Sequence, residues 1–177
     1  IVFGDWSSDV CSSDLKLSIM IGGPQEAVET IRPVLNAMGT AIIWCGPVGS
    51  GQTTKLVNQV MVIHTIMSIA EGLAFAKRAG LNLETTMVAT TAGAASSRSL
   101  VNLGPKILAG DFAPAFKVDL QLKDLRLVQE TARKIGQPLP GTALAAELLS
   151  ILAAKGRGSE GTQALYDIIL SLGADKK

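Results

Sequence analysis

The stretch CGPVGSGQTTKLVNQVMV, Cys45–Val62, joins a glycine-rich turn to an apolar helix, and the rest of the chain supports these two elements. Its glycines give the backbone the freedom that a sharp turn requires. Thr40–Cys45, just before the turn, is β-branched and apolar, which predicts a short buried strand. From Gln52 to about Arg78 there is no proline, and apolar residues occur on nearly every face. This segment predicts one long helix that is buried all round.

Three polar residues share one face of that helix. Lys55, Asn58 and Gln59 fall at i, i+3 and i+4, one turn past the glycines. Because an ammonium loses several kcal/mol of solvation on burial, a buried lysine must be paired or give up its proton, and it can then serve as proton donor and acceptor. The alternative is that Lys55 reaches solvent from the first turn, with both amides on an exposed face. The pattern alone leaves both interpretations open.

Neither of two phosphate-binding glycine motifs is intact in this turn. Gly46 and Gly51 have the spacing of a P-loop, but Gln52 occupies the position of its lysine. A dinucleotide fingerprint that starts at Gly49 requires a further glycine at position 54, where the chain has Thr54. Gln52 therefore argues against a phosphate-binding loop, which we keep only as a minor alternative.

The segment GPVGSGQTTKLVNQ, Gly46–Gln59, resembles the catalytic-lysine motif of the β-hydroxyacid dehydrogenases. That family contains 3-hydroxyisobutyrate dehydrogenase, tartronate semialdehyde reductase and, more distantly, 6-phosphogluconate dehydrogenase. Three further segments follow in the family's order and at about its spacing: Ala94–Leu100, Asp111–Phe116 and Leu122–Leu125. The resemblance runs from about Leu17 to Leu172.

The resemblance implies a fold. Family members combine an N-terminal Rossmann domain, which binds nicotinamide, with an all-helical C-terminal domain, and the lysine-bearing helix joins the two. This chain resembles the second half. We therefore expect a mainly α fold, with residues 16–50 as a strand–helix–strand remnant of the Rossmann domain and residues 51–177 as the helical domain for NAD binding and dimerisation.

The resemblance also implies an activity, the interconversion of a small 3-hydroxy acid and its semialdehyde with NAD or NADP. Lys55 would be the general acid and base, while Asn58 and Gln59 would hold the substrate hydroxyl and carboxylate. The family's serine-containing substrate motif is absent upstream, and no intact dinucleotide fingerprint precedes Lys55. We therefore expect a fragment that is inactive by itself.

Three more site residues come from the second half of the chain by resemblance. Ser96 would lie near the substrate, Lys123 would reach the nicotinamide end of the cofactor, and Phe116 would help to wall the pocket. Without the family, the same residues have ordinary interpretations: Ser96 and Ser97 are typical helix caps, and Lys123 is typical of a solvated helix face.

The N-terminal region divides into two parts. Gly4–Leu15 is serine-rich and without periodicity, and it resembles the translation of a sequencing-library adapter, so we expect residues 1–15 to be non-native; a disordered native tail is the alternative. Leu17–Ile21 predicts a strand, and a helix beginning at Pro24 and stopping at Gly39 leads to the strand at Thr40–Cys45. Two strands are too few for an independent sheet.

Beyond Gly80 the sequence predicts helices and no strand. The predicted helices are Leu83–Ala92, Ser96–Leu108 with a break or kink at Gly104-Pro105, Phe116–Ile135, Thr142–Ala154 after a turn at Leu139–Gly141, and Gly161–Leu172.

Composition limits the remaining possibilities. With 177 residues and 47% hydrophobic content the chain can bury one main core, and a net charge of +1 gives no argument for nucleic acid or membrane partners. Two cysteines and one histidine make a metal site improbable and favour the reducing cytoplasm. His64 lies half a turn away from Lys55, as a packed or surface residue. Asn58, Gln59 and His64 interrupt the apolar run, so we expect a buried helix rather than a membrane span.

Two functions of different class therefore stand beside each other. The first is the C-terminal part of an NAD(P)-dependent 3-hydroxyacid dehydrogenase that forms a homo-dimer or tetramer through its helical domain. The second is a non-catalytic helical dimerisation module in which the face of Lys55 is only solvated surface.

Overall fold

The structure, a computed structural model, describes residues 2–3 and 17–173, so the adapter-like stretch Gly4–Leu15 lies outside the described residues. The chain divides into two compact units, residues 1–58 and residues 59–177. The boundary falls inside the long helix that carries Lys55.

The first unit contains a three-stranded sheet and one helix. In chain order its elements are β1 (Val2–Phe3), β2 (Leu17–Gly22), α1 (Gln25–Asn36) and β3 (Gly39–Gly46). β2 and β3 pair in parallel, with α1 as the connection between them, which confirms the predicted strand–helix–strand unit. β1 was not predicted, and it adds an antiparallel strand to the other side of β2. A small core of Ile19, Ile21, Val28 and Leu35 lies between β2 and α1.

The prediction of a buried strand at Thr40–Cys45 was right about the strand and wrong about its burial. Ile43 is 50% exposed and Trp44 is 42% exposed. β3 is an edge strand of the described sheet because β2 is its neighbour on one side only. An apolar sequence like that of β3 is typical of a strand that is buried on both faces. Within this unit β3 stays partly exposed.

The second unit is entirely helical in its described part, apart from an isolated bridge between Lys117 and Gly161. The helices are α2 (Ser50–Arg78, which begins in the first unit), α3 (Leu83–Thr91), α4 (Arg98–Leu108), α5 (Val118–Ile135), α6 (Pro140–Ala154), a short 3-10 helix (Thr162–Ala164) and α7 (Leu165–Leu172). The mainly α fold is therefore confirmed.

Helix α2 supplies one wall of the helical core. Its buried side chains recur at helical spacing and pack with fully buried leucines of α5, α6 and α7: Ile63, Ile66, Ala70 and Leu73 with Leu125, Leu149 and Leu165. The prediction that α2 is buried on every face was wrong, because Met61 is 65% exposed and Phe75 is 74% exposed. α2 is also long and apolar enough to cross a membrane by length and composition, and 44% of its most apolar window is buried in this fold.

Two prolines lie inside helices at places where the sequence predicted an interruption or a turn. α4 continues through Pro105, so the predicted break is wrong, while the alternative of a kink stays a prediction. Only three residues of the helix follow this proline, and the buried stripe Leu100, Gly104 and Ile107 holds the last turn against the core. α6 begins at Pro140, where we predicted a turn, because proline suits the first turn of a helix, in which the amide has no partner within the helix.

Candidate active site

The glycine-rich turn lies at the carboxyl edge of the sheet in the first unit. β2 ends at Gly22 and β3 ends at Gly46, and since the two strands are parallel, both ends meet at the same edge. This is the edge at which open α/β sheets bind their ligands. Gly46 and Gly49 have positive φ angles of 125° and 93°, which confirms that the turn requires glycine.

Lys55 and Asn58 lie in the second and third turns of α2, directly after this edge. Both are half-buried, between the fully buried and the solvent-exposed placements that the sequence left open. Each takes part in polar or electrostatic interactions, so neither side chain is idle. Lys55 is therefore a partly shielded amine just after the carboxyl edge of the sheet, and its role in proton transfer stays a prediction.

A polar cluster in the helical unit contains Gln59, Lys123 and Asp124. Gln59 is only 3% exposed, and its Nε2 donates a 2.6 Å hydrogen bond to Oδ2 of Asp124. The other carboxylate oxygen, Oδ1, lies 3.2 Å from Nζ of Lys123. The side chain of Asp124 is 8% exposed, whereas that of Lys123 is 41% exposed. One carboxylate therefore holds a buried amide and a half-exposed ammonium at the same time.

Asp124 is the functional candidate that the sequence reasoning missed. It lies in the segment Leu122–Leu125, and the sequence alone predicts no role for it. A signal was present, because α5 buries Val118, Gln121, Asp124 and Leu125 along one stripe, and a carboxylate on the buried stripe of a helix needs a partner. Gln59 is the partner of Asp124. The substrate contact that we predicted for Gln59 stays a prediction, whereas its hydrogen bond to Asp124 is observed.

Phe116 is half-buried and belongs to a loop, residues 111–117, that the segment before α7 holds in place. The backbone amide of Gly161 donates to the carbonyl of Phe112, and that of Thr162 donates to the carbonyl of Phe116. The buried Gln163 adds two bonds from Nε2, to the carbonyls of Asp111 and Ala113. The loop that carries Phe116 is therefore fixed along most of its length.

Arg157 strengthens the same region. Its guanidinium hydrogen-bonds Glu160 and Asp167 and lies 5.2 Å from the centre of the Phe112 ring. The hydrogen bond to Glu160, together with that to Asp167, raises the pKa of Arg157 above its ordinary value. The arginine stays charged, and it ties Phe112 to α7.

Ser96 and Ser97 have different structural positions. Ser97 is the N-cap of α4, and its hydroxyl accepts a 3.0 Å hydrogen bond from the amide of Leu100. Ser96 is exposed and makes no cap. The capping interpretation is thus confirmed for Ser97, while the substrate role of Ser96 stays a prediction.

Two other features lie apart from the predicted residues of the helical unit. His64 is exposed, with Nε2 3.3 Å from Oγ1 of Thr142, as expected for a surface histidine. An open groove of about 430 Å³ lies where α5 turns into α6, lined by residues that include Gln129, Arg133 and Leu139. None of the predicted site residues lines it.

Comparisons with known proteins agree with this architecture. Residues 49–169 match the sequence model of the NAD-binding domain of NADP-dependent 3-hydroxyisobutyrate dehydrogenase. The chain belongs to the β-hydroxyacid dehydrogenase family. Residues 10–46 match the model of the NAD-binding domain of 6-phosphogluconate dehydrogenase, a more distant relative. Both matched models are NAD-binding domains, which confirms NAD or NADP as the cofactor type of the family.

Individual members of the β-hydroxyacid dehydrogenase family are similar to this chain in sequence and structure. An uncharacterised oxidoreductase of Bacillus subtilis is 40% identical over 160 residues, covering 90% of this chain and 56% of the relative. The 2-hydroxy-3-oxopropionate reductase of Escherichia coli is 38% identical over 79% of this chain and 48% of the relative. The crystal structure of a 3-hydroxyisobutyrate dehydrogenase from Salmonella typhimurium superposes with a TM-score of 0.82 at 29% identity, over 89% of this chain and 55% of that one. The chain spans about half the length of the relatives it matches.

Proposed function

We propose that this chain carries the proton-transfer residue of an NAD(P)-dependent oxidoreductase that interconverts a small 3-hydroxy acid and its semialdehyde. The observation that carries the proposal is the position of Lys55, half-buried in α2 directly after the carboxyl edge of parallel strands, within a segment that matches the family. The names of relatives support the substrate class, since the Escherichia coli relative is a 2-hydroxy-3-oxopropionate reductase.

In the oxidation, Lys55 accepts the proton of the substrate hydroxyl through its neutral amine. Bound NAD or NADP would supply the acceptor for the hydride that leaves the carbon carrying this hydroxyl. The proton and the hydride together account for the two hydrogens lost as the alcohol becomes an aldehyde. In the reduction, the ammonium of Lys55 returns the proton to the forming alkoxide. Asn58, one turn further along α2, hydrogen-bonds the substrate hydroxyl and adds no charge that would oppose deprotonation of the lysine.

Residues of the helical unit fit a nicotinamide. An ammonium and an aromatic ring suit the carboxamide and the planar ring of this group, and the chain offers both in Lys123 and Phe116. Asp124 holds the ammonium of Lys123 in place. The loop that carries Phe116 is fixed by the hydrogen bonds that Gly161, Thr162 and Gln163 donate to it. Lys123 and Phe116 address only the nicotinamide end of the cofactor. The pyrophosphate needs a dinucleotide fingerprint as its anchor, and these 177 residues contain no intact one.

An assay for NADH or NADPH formation tests the proposed activity. The full-length gene product, incubated with NAD or NADP and a panel of small 3-hydroxy acids, is expected to reduce the cofactor with at least one of them. The same panel with 2-hydroxy acids is the control for substrate class. Absence of cofactor reduction across the 3-hydroxy acids, by a folded enzyme that binds NAD or NADP, would contradict the proposal.

The 177-residue chain by itself is expected to be inactive in that assay. Without an anchor for the pyrophosphate the hydride acceptor is not held near the substrate, and such positioning is worth roughly 7–11 kcal/mol of barrier. The measurement is the rate of NADH or NADPH formation by the purified chain, with the full-length gene product as the positive control. Substrate-dependent turnover by the chain alone would refute this expectation.

A non-catalytic helical module that pairs with a second copy is the rival function. Self-association is favoured by three exposed apolar residues of α2: Val57, Met61 and Phe75. We propose the same for the enzyme, as a homo-dimer or tetramer in the cytoplasm. The two functions differ in the chemistry of Lys55. Acylation of Lys55 near neutral pH at a rate well above that of exposed lysines supports the enzyme, whereas a rate equal to theirs supports the module.

A further inference from the structure

Two glycines bring the end of β2 and the first turn of α2 into direct backbone contact. A Cβ added to Gly51 would lie 2.7 Å from the carbonyl oxygen of Met20 and 2.8 Å from the amide nitrogen of Gly22. A Cβ added to Gly22 would lie 2.6 Å from the carbonyl oxygen of Pro47 and 2.9 Å from the amide nitrogen of Gly51. All of these neighbours are backbone atoms, so neither position accepts a methyl group unless the helix or the strand moves.

This contact is a different requirement from that of the turn. Gly46 and Gly49 are glycines because their φ angles are positive. Gly22 and Gly51 have no positive φ, so only the close approach of the two backbones requires them to be glycine. Gly72, further along the same helix, has neither requirement: its φ is not positive and nothing lies within 4 Å of an added Cβ.

The strand end against which Gly51 packs is itself held firmly. The amide of Gly23 donates a 2.9 Å hydrogen bond to the carbonyl of Gly46, which joins the ends of β2 and β3. The indole Nε1 of Trp44 donates a 2.9 Å hydrogen bond to the carbonyl of Gly23. Because these bonds fix the sheet edge, a methyl group at position 51 displaces the helix rather than the strand.

We propose that Gly22 and Gly51 are a positioning pair that sets the location of Lys55 at the carboxyl edge of the sheet. Lys55 follows Gly51 by four residues, about one helical turn or roughly 6 Å along the axis. A displacement of the first turn is therefore passed directly to the amine. This inference rests on the proposed function, because the position of Lys55 matters for turnover only where Lys55 transfers the proton.

The test compares Gly51→Ala and Gly22→Ala with Gly72→Ala in the full-length gene product. The first two variants are expected to lower kcat by about 10- to 100-fold, since a displacement of about 1 Å can cost about 100-fold. Cofactor Kd is expected to stay within about threefold, and the primary deuterium isotope effect on kcat is expected to rise as the chemical step becomes slower. Gly72→Ala is expected to leave kcat within about twofold.

Two further measurements separate positioning from loss of folded protein and from failure of the proposed function. The double variant Gly22→Ala/Gly51→Ala is expected to lose no more kcat than the worse single variant, because both changes open the same contact. The rate at which an acylating reagent labels Lys55, followed by mass spectrometry of its peptide, is expected to change severalfold in Gly51→Ala and not in Gly72→Ala. This labelling does not depend on catalysis, so it decides the positioning claim even where the wild type proves inactive.

The proposal is overturned by any of three results. The first is a folded Gly51→Ala enzyme with kcat within about threefold of wild type and unchanged labelling of Lys55. The second is a fall in activity that equals the loss of folded protein, with an unchanged isotope effect. The third is that neither alanine variant folds by circular dichroism, which would make the contact a requirement for folding instead of a positioning device.

Discussion

Asp124 shows at the scale of a single residue how the helical unit tolerates a charge in its interior. Its two carboxylate oxygens divide their work, one accepting from the buried amide of Gln59 and the other facing the ammonium of Lys123. The bond to Gln59 is short, buried and charge-assisted, which makes it one of the stronger types of hydrogen bond in proteins. The contact with Lys123 is half-exposed and correspondingly weaker.

Replacing Asp124 by alanine is expected to lower the free energy of unfolding by about 2–3 kcal/mol. The variant removes a hydrogen bond to a charged group and takes the acceptor away from a buried amide, and such changes cost about 1.5–3 kcal/mol. Urea unfolding of the chain, followed by circular dichroism, measures the loss.

Glu130→Ala is the matched control on the same helix. Glu130 pairs with Arg126 at 3.6 Å, with exposed fractions of 40% and 67% for the two side chains, so its removal is expected to cost about 0.5 kcal/mol or less. Equal losses for Asp124→Ala and Glu130→Ala would show that the buried cluster contributes nothing special.

At the scale of elements, the start of α4 separates two neighbouring serines. Ser97→Ala removes the N-cap bond to Leu100 and is expected to cost about 1 kcal/mol of stability. Ser96→Ala removes an exposed hydroxyl that makes no cap, so stability is expected to stay within about 0.5 kcal/mol while KM for the hydroxy acid rises. Denaturant unfolding and steady-state kinetics on the full-length gene product check both. A loss of stability in Ser96→Ala with an unchanged KM would reverse the two roles.

Elements whose cause is local were predictable from the sequence. The turn at Gly46–Gly49, the long helix after it and the strand–helix–strand unit all follow from glycine conformation and apolar periodicity. The predictions that were wrong concern features that depend on tertiary structure. Pro105 breaks a helix in isolation, but in α4 it is close to the end of a helix that the core already holds. The exposure of Ile43 depends on which strands stand beside β3, and no local pattern contains that information.

The roles of the candidate site residues stay predictions, and the sequence gives only part of the geometry around them. Resemblance to the family pointed to Lys55, Lys123 and Phe116. The hydrogen bond between Gln59 and Asp124 could not be inferred from spacing, because the two residues are 65 positions apart in the chain. The bond between Gln59 and Asp124 exists because two helices pack in one register, which side-chain periodicity on each helix separately does not define.

At the scale of the whole molecule, exposed apolar surface predicts association. Phe75 and Met61 on α2 are more than half exposed, and exposed apolar patches mark surfaces of protein–protein contact. We expect concentration-dependent association in sedimentation velocity, weakened at least tenfold in Phe75→Glu. Arg126→Glu, on an exposed polar position of α5, is the control and is expected to leave association unchanged. A chain that sediments as a monomer at high concentration would contradict self-association through this surface.

Lys55 and Lys123 are proposed to have different roles, and paired substitutions in the full-length gene product separate them. Lys55→Met keeps the length of the side chain and removes the proton acceptor, so kcat is expected to fall by about 10²- to 10⁴-fold while cofactor Kd barely changes. Lys123→Met removes the charge that we propose to lie beside the nicotinamide, so it is expected to weaken binding of cofactor or substrate as well as to slow turnover. A Lys55→Met enzyme that keeps kcat within about threefold, together with a Lys123→Met enzyme that loses all activity, would contradict the account and make Lys123 the proton-transfer residue.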